Sequence, residues 1–595
     1  MGEHEFRGYG RSKRIQSAAA PRKSHQNDRA TERGSGAAVT FFQALAIDFD
    51  GTLTSRGEVS TKALDAIDQA RRSGLVVVLV TGRIGAELQG EFPQIVDHVD
   101  AVVLENGAVA AIDGRTRVLC TPVDIGLDDA LTGRGVPFRR GQVLVAIDGE
   151  YAATVIEVIG QLGLDCQIIR NRAAVMVLPA GVTKGSGLGA VLTELNLSAH
   201  NTIAVGDAEN DLSLFATAEV GVAVADAIPS VRQHADHVLD EPDGDGVVAL
   251  LTGPYLSGAR RWCPPRRWVT IGTFEDGTPT QIPGSQGRIL VVGPPGAGKS
   301  YLSGLMAEQW ILAGYSVLVI DPEGDHHELR ELNQVRIVDA GRYLPEPAEL
   351  ATMLGPRTSI VADLSALAEP TKVNYLHRLR SAAEAHREQH GFPHWVIYDE
   401  AHLLGADEEA RWARRGGYVL SSFAPKSLPA GEIDTTDVVL ELTDADTSGG
   451  VTSRPVRRAS VHFGSGPSRP FTIAERRTAH VRHRHKYADV VLPKERRFYF
   501  RVTDGQYIAP AGSMREFGAA LRHLDPQALQ YHLERGDFSR WLDRTIADTD
   551  LAAQVAAWED ELLAHRAADL ERIRQQLLRA VEARYLEATS AERSA

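Results

Sequence analysis

Short apolar runs that end at once in polar, glycine-containing turns dominate the pattern of this chain. Phe41-Phe42-Gln43-Ala44-Leu45-Ala46-Ile47 is such a run, and it ends in Asp48-Phe49-Asp50-Gly51-Thr52. Apolar continuity over so few residues predicts a strand buried on both faces, as in a parallel sheet. A helical stretch follows over Lys62 to Ser73, then a second buried strand over Leu75 to Val80. Strand, helix, strand predicts a doubly wound α/β sheet. From about 115 to 178 the elements are shorter and mixed, and the strand-and-loop pattern resumes at Thr202-Ile203-Ala204-Val205. That order predicts an α/β core interrupted by a small α+β insertion. A second strand-loop-helix series starts at Arg288, and from about 466 a basic segment leads into mainly helical sequence.

The expected organisation is a disordered, mildly basic tail over 1–38, then a first α/β unit over 39–253 with its insertion at about 115–178. A linker over 254–267, marked by Pro254, Gly258, Pro264 and Pro265, precedes a second α/β unit over 268–460. A basic segment and helical domain fill 461–595. Composition changes this picture little. Hydrophobic residues at 43% and charged residues at 24% are ordinary for globular chains, and Gly plus Pro at about 14% exclude a collagenous or low-complexity chain. No stretch approaches 18 consecutive apolar residues, so no membrane span is expected, and the N-terminus lacks the apolar run of a signal peptide. The net charge of −14 means that any nucleic-acid contact must come from a local basic patch. Three distant cysteines, Cys120, Cys166 and Cys263, form neither a metal spacing nor a disulfide framework, which suits the cytoplasm.

The first chemical constellation begins at Asp48 and Asp50, at the carboxyl end of the first strand, where open α/β sheets place their ligands. The Gly51 turn lets one carboxylate attack while the other handles protons. Thr81-Gly82-Arg83 ends the next strand and offers a hydroxyl and an amide to a phosphate. Lys184 can neutralise charge, and Gly206-Asp207-Ala208-Glu209-Asn210-Asp211 follows a further strand with paired carboxylates, the hard oxygen ligands that Mg²⁺ takes.

In this order the four motifs resemble those of the haloacid dehalogenase superfamily of phosphatases, over about residues 41–250. The insertion between the second and third motifs resembles the cap of Cof-like phosphatases. Glu105-Asn106-Gly107-Ala108 fits that subgroup, and the cap is short, as in archaeal-type phosphoglycolate phosphatases. The resemblance implies that Asp48 is the nucleophile forming an aspartyl-phosphate, and that Asp50 protonates the leaving oxygen and later activates water. It implies further that Asp48, the Asp50 carbonyl and Asp207 hold Mg²⁺ with support from Asp211, while Thr81 and Lys184 bind the phosphoryl group. Arg139, Arg140, Arg170 and Arg172 lie in the cap, either to meet an anionic substrate or as a solvated face.

A second constellation follows the apolar strand Ile289-Leu290-Val291-Val292. Gly293-Pro294-Pro295-Gly296-Ala297-Gly298-Lys299-Ser300 has the spacing of a phosphate loop, with Lys299 reaching the β/γ-phosphates of ATP and Ser300 binding Mg²⁺. Trp395-Val396-Ile397-Tyr398 predicts another strand, ending in Asp399 and Glu400. Asp399 suits the Mg²⁺ shell, and Glu400 can polarise water, which marks a hydrolase. With Val317 to Asp325 between them, these residues resemble the HerA/FtsK-type additional-strand ATPases over about 268–445, with Ile271-Gly272-Thr273 as the hairpin-like lead-in. The polar sensor usual in that family is absent after the next strand, and Ser421 or Ser422 stands in its place. Arg414 and Arg415 read either as a finger reaching a neighbouring subunit or as surface arginines. Asp399 to His402 spells a DEAH box, but no helicase arginine motif follows.

In Val481-Arg482-His483-Arg484-His485-Lys486-Tyr487, alternation puts Arg482, Arg484 and Lys486 on one strand face, a phosphate or nucleic-acid surface or a plain surface strand. His480, His483 and His485 lack an acidic or Cys partner at ligand spacing. Tyr531 to Trp541 predicts a packed helical hairpin, and Leu570, Ile573, Leu577, Val581 and Tyr585 form a helical stripe for core packing or oligomer formation. The sequence thus predicts a Mg²⁺-dependent phosphatase acting on a small phosphorylated metabolite, fused to an ATP-hydrolysing domain in a homo-oligomer. The alternative is a HerA-like nucleic-acid translocase or an end-processing enzyme of polynucleotide kinase-phosphatase type.

Overall fold

The computed structural model describes residues 40–171, 174–294, 297–405, 416–423, 428, 435–442, 457–478, 492, 494–502, 507–546, 548–564 and 570–586. The tail, Arg172, Pro295, Gly296, Arg414, Arg415 and the 480–487 stripe lie outside these residues.

Among the described residues two large sheets dominate. The first has eight strands, and Ala44–Asp48 lies near its middle, paired in parallel with Val76–Val80 on one side and Thr202–Gly206 on the other. All five residues of Ala44–Asp48 are buried, as a strand covered on both faces requires. The neighbouring helix Thr61–Arg72 starts at Ser60, whose hydroxyl caps the Ala63 amide. Beyond Ala101–Leu104 the sheet turns antiparallel through Val109–Ile112 and Arg115–Val118. Arg115–Val118 thus completes the core sheet, which corrects the expected start of the insertion at about 115. The pairing Ile112↔Arg115 closes a tight hairpin, so the chain leaves the core only after Val118. The cap is a four-stranded antiparallel sheet in the order Phe138–Arg140, Val145–Asp148, Ala174–Pro179, Cys166–Asn171, with helices Gly126–Gly133 and Ala152–Leu162 packed against it.

The second sheet has eleven strands. Its parallel part runs Val438–Leu442, Arg288–Val292, Tyr418–Ser422, Trp395–Tyr398, Val317–Asp321, Ser359–Asp363, Val335–Asp339. Tyr418–Ser422 is therefore inserted between the strand before the phosphate loop and the strand bearing Asp399, the arrangement implied by the additional-strand resemblance. Arg458–Phe463 and Arg469–Ile473 extend this sheet antiparallel and join it to the hairpin Val269–Phe274 and Pro279–Ile282. The expected boundary at 460 thus falls inside a strand of this sheet. The remaining chain, from Leu492, forms the small hairpin Phe498–Arg501/Tyr507–Ala511 and helices over a separate aromatic core. Ile573, Leu577, Val581 and Tyr585 are buried there, so the apolar stripe packs inside the chain.

The two sheets meet at the amino ends of their strands. Asn201, just before Thr202–Gly206, donates through Nδ2 to Phe41 O at 2.9 Å and to Gly391 O at 3.1 Å. Its Oδ1 accepts from His394 Nε2 at 3.1 Å, while His394 Nδ1 accepts from the Ser316 amide at 2.8 Å. Beside them Glu219, fully buried, receives His200 Nδ1 at 2.8 Å, Ser285 Oγ at 2.5 Å and Tyr315 OH at 3.0 Å. Burial alone would raise this carboxyl; the His200 and Ser285 hydrogen bonds and Arg267 hold it below its ordinary value. The arginines of the proline-rich connection are fastened too. Arg266 pairs with Asp236 at 2.8 Å, and Arg261 with Asp437.

Two expectations follow from this joint. Asn201→Ala strands His394 Nε2 and two carbonyls without partners, and should lower the unfolding free energy by about 1–3 kcal/mol; an unchanged urea midpoint would contradict the joint. Burial, with His200 and Arg387 nearby, holds His394 well below its ordinary value of 6.5. The unfolded chain then binds a proton that the folded one refuses. Stability should be present above pH 6.5 and fall as pH drops below it, and His394→Gln should flatten that slope in pH-dependent unfolding.

Candidate active sites

The first site forms where Asp48 leaves its strand. Gly51 takes a positive φ of 87°, which turns the chain so that Thr52 faces back toward Asp48. The Thr52 hydroxyl lies 3.3 Å from Asp48 Oδ2 and 3.1 Å from Asp207 Oδ1. Lys184 enters from helix Lys184–Glu194, which starts at a Thr183–Ser186 capping box. Glycines let this helix sit deep. A Cβ on Gly107 would lie 1.9 Å from Thr183 O, and one on Gly187 would lie 2.6 Å from Gly107 Cα. Lys184 Nζ consequently reaches Asp48 Oδ1, and Asp211 Oδ1 at 2.6 Å, with only 2% of its side chain exposed. The other Asp211 oxygen accepts the amides of Asp207 and Ala208 at 3.0 Å, which fixes the loop.

Asp48, Asp207 and Asp211 are all buried and bring ligand oxygens within 4.8 Å of one another. Three carboxylates against one ammonium leave excess negative charge in a low-dielectric site. Burial and Asp211 push the Asp48 carboxyl well above its usual range despite Lys184. This all-oxygen donor set fits a divalent cation such as Mg²⁺. Asp50 stands at the rim, gripped by Arg83 through Nε at 2.9 Å and Nη2 at 2.8 Å. Thr81 is buried, and its hydroxyl accepts the Arg83 amide at 3.1 Å.

The cap is tied to the core by Glu105, whose carboxylate accepts the amides of Gln142, Val143 and Leu144 at 2.7, 2.8 and 3.0 Å. Arg139 bridges to Glu87 of the core at 2.8 Å, Arg140 pairs with Asp128 inside the cap, and Arg170 is exposed. Arg139 and Arg140 are thus already matched to carboxylates.

The second site lies at the carboxyl ends of the other sheet. Gly298, with φ of 100°, leads into helix Lys299–Leu312, and Lys299 Nζ lies 3.2 Å from the carbonyls of Gly293 and Pro294. Asp399 is buried and accepts from His326 Nε2 at 3.0 Å. Burial would raise Asp399, but His326, with Ser421 and Ser300 beside it, holds it below its ordinary value. Asp399 and Ser421 are both buried, and the Asp399 carboxylate with the Ser421 and Ser300 hydroxyls beside it makes an oxygen donor set that fits a cation next to a nucleotide. Glu400 adopts a left-handed φ of 51°, and burial beside Asp399 raises its carboxyl to about 7. Asp321 organises the neighbouring loop, accepting the amides of Gly324 at 2.8 Å and His326 at 2.8 Å.

Comparison with known proteins agrees with both halves. The model for haloacid dehalogenase-like hydrolases matches residues 45–122 and 151–251. A phosphoglycolate phosphatase of Archaeoglobus fulgidus is 31% identical over 222 residues, covering 35% of this chain and 95% of that protein. One from Methanothermobacter thermautotrophicus is 31% identical over 220 residues, covering 35% of this chain and 97% of its own length. A crystallised haloacid dehalogenase-like hydrolase from Bacteroides thetaiotaomicron covers 35% of this chain and 98% of its own at 19% identity, with a TM-score of 0.32. The chain belongs to the haloacid dehalogenase-like hydrolases, which makes it an enzyme of the hydrolase class. Residues 286–392 match the central domain of helicase HerA, so a P-loop ATPase-type domain follows the hydrolase.

The structure gathers Asp48, Lys184, Asp207 and Asp211, sets Asp50 and Thr81 beside them, and gathers Lys299, Ser300, Asp399 and Glu400 at the other site. The sequence pattern did not single out Thr52, which lies inside the Asp48 motif, or the grip of the Arg83 side chain on Asp50. Nor did it single out His326, one residue past the stretch ending at Asp325, or the clamp made by Glu105, for which spacing offers no signal.

Lys184→Met should leave two buried carboxylates without their cation and cost about 3–5 kcal/mol of stability in metal-free buffer. The Asp48 carboxyl is raised in the folded state, so the folded protein binds the extra proton. The loss should therefore deepen as pH rises and shrink as it falls. A pH-independent loss in chelator-treated protein would contradict this charge balance.

Proposed function

We propose that the first α/β unit is a Mg²⁺-dependent phosphomonoesterase acting through an aspartyl-phosphate. The observation carrying this reading is the buried cluster of Asp48, Asp207, Asp211 and Lys184, joined by Thr52. Asp48 attacks phosphorus as the ester P–O bond breaks, and Asp50 delivers a proton to the departing oxygen. Asp50 then takes a proton from the water that cleaves the acyl phosphate. Arg83 holds the Asp50 carboxylate in place between the two steps. Lys184 and Thr81 receive the phosphoryl oxygens, whose charge is the main quantity to stabilise. Asp48, the Asp50 carbonyl and Asp207, supported by Asp211, would hold Mg²⁺, which supplies charge neutralisation at the transferring group. A cap fastened at Glu105 and Arg139 favours a small phosphorylated metabolite over a duplex end. The named activity of the archaeal relatives supports a phosphoglycolate-like acid as the substrate class.

The second unit is read as an ATPase in which the 293–300 loop and Lys299 hold the phosphates and Glu400 orients water. Ser300 and Asp399 would hold its Mg²⁺. A nucleic-acid motor is the second reading, favoured by the HerA match, and DNA-stimulated ATP turnover tests it. The motor reading also carries a homo-oligomer, which light scattering with and without an ATP analogue tests; a strictly monomeric mass with full turnover would refute it.

Asp48→Asn should abolish Mg²⁺-dependent phosphate release from a phosphoester panel while ATP hydrolysis persists. Undiminished monoester turnover would sink the nucleophile assignment. At the other site, Lys299→Ala should weaken ATP binding, whereas Glu400→Gln should bind ATP and hydrolyse it slowly. Equal loss of binding in both variants would contradict those roles.

A further inference from the structure

Arg457 belongs to no motif, yet the fold carries it to the phosphate loop. Val438–Leu442 runs parallel to Arg288–Val292, so Leu442 ends beside the loop, with its Cβ 3.0 Å from where a Gly293 Cβ would stand. Arg458–Phe463 returns antiparallel, pairing Ala459 with Leu442. Arg457 is thereby held at the carboxyl edge of the sheet, where its carbonyl accepts the Ile473 amide at 2.9 Å. Its guanidinium carbon lies 3.8 Å from the centroid of the Tyr301 ring, and its Cδ lies 3.9 Å from where a Gly298 Cβ would stand. Tyr301, in turn, is fixed from behind, its hydroxyl donating to Ala474 O at 3.2 Å and accepting from the Arg476 amide at 3.0 Å. Among the described residues no carboxylate pairs with Arg457. The result is a half-buried cation over an aromatic ring in the first turn of the helix that follows the phosphate loop.

The sheet order points to the end of a nucleotide that this cation would meet. The strand before the loop is flanked on one side by Tyr418–Ser422 and then the strand of Asp399 and Glu400, and on the other by Val438–Leu442 and Arg458–Phe463. Glu400 must meet water at the terminal phosphate. A nucleotide lying across the loop therefore extends its α-phosphate and nucleoside toward the opposite flank, where Arg457 stands.

We propose that Arg457 is a nucleotide-binding arginine acting within its own subunit, closing on the α-phosphate and nucleoside side of the phosphate-loop site. The proposal rests on the ATP-site reading above. An arginine at that end touches parts common to ATP and ADP. A residue at the terminal phosphate, or one supplied by a neighbour, does not behave this way.

The test is equilibrium binding of methylanthraniloyl-ATP and methylanthraniloyl-ADP, with Mg²⁺, to the full chain. Wild type, Lys299→Ala, Arg457→Met and Arg457→Lys are compared. Met keeps the apolar stem on Tyr301 and guards against a folding defect, which thermal unfolding checks. Arg457→Met should weaken ATP and ADP by the same factor, about 10- to 100-fold, because a charge-assisted hydrogen bond is lost. Arg457→Lys should fall between it and wild type. Mixing Arg457→Met with Lys299→Ala subunits should restore no ATP hydrolysis. Unchanged affinity, a loss confined to ATP, or restored turnover in the mixture would each overturn the proposal. If the wild type binds neither nucleotide, the ATP-site reading fails first and the proposal falls with it. Tight wild-type binding that is lost in Lys299→Ala upholds the ATP site, and the Arg457 variants then test the arginine alone.

Discussion

The structure turns on a buried hydrogen-bonded joint between the amino ends of two parallel sheets. Asn201 and Glu219 come from the hydrolase, and His394, Tyr315 and Ser285 from the ATPase-type domain. Such groups are costly to bury unless each finds a partner, and here each supplies the other's. Sheets of this class place their chemistry at the carboxyl ends. Joining the amino ends therefore points the Asp48 cluster and the Lys299 loop away from each other. A strand runs from the joint to each site. Thr202–Gly206 runs from Asn201 up to Asp207, and Trp395–Tyr398 runs from His394 up to Asp399.

Both sites face the same electrostatic problem with different means. At the hydrolase site a buried ammonium sits between two carboxylates, and a third, Asp207, stands beside them and accepts from Thr52. At the other site one carboxylate, Asp399, is kept ionised by a histidine, while its neighbour Glu400 is pushed toward neutrality. Adjacent acids separated by environment in this way can hold distinct tasks.

Much of this was legible in the chain because parallel strands buried on both faces leave a strong mark. The runs ending at Asp48, Thr81 and Asp399 are each short, apolar and closed by a polar turn, so their ends, and the chemistry there, could be placed. Arg115–Val118 was lost to the cap because all four residues are exposed, and an edge strand carries no apolar signal. The antiparallel strands after Arg458 were missed for a related reason, since half their side chains face solvent. Asn201, Glu219 and His394 lie outside every motif and apolar run that the sequence shows. Their burial depends on a second domain arriving from elsewhere in the chain, which no local pattern records. Glu105 stands within a recognisable motif, but its clamp on three backbone amides exists only once the cap has folded over it.

The joint also bears on how this chain could be taken apart. Cutting it in the proline-rich connection near Pro264 would leave the halves bound through Arg266, Arg267 and the Glu219 cluster. Prising them apart would hydrate a glutamate built for a dry setting and leave His394 and Tyr315 facing solvent on the other piece. Neither fragment would behave as a ready-made domain, so a clone ending near residue 253 is a poor stand-in for the hydrolase half.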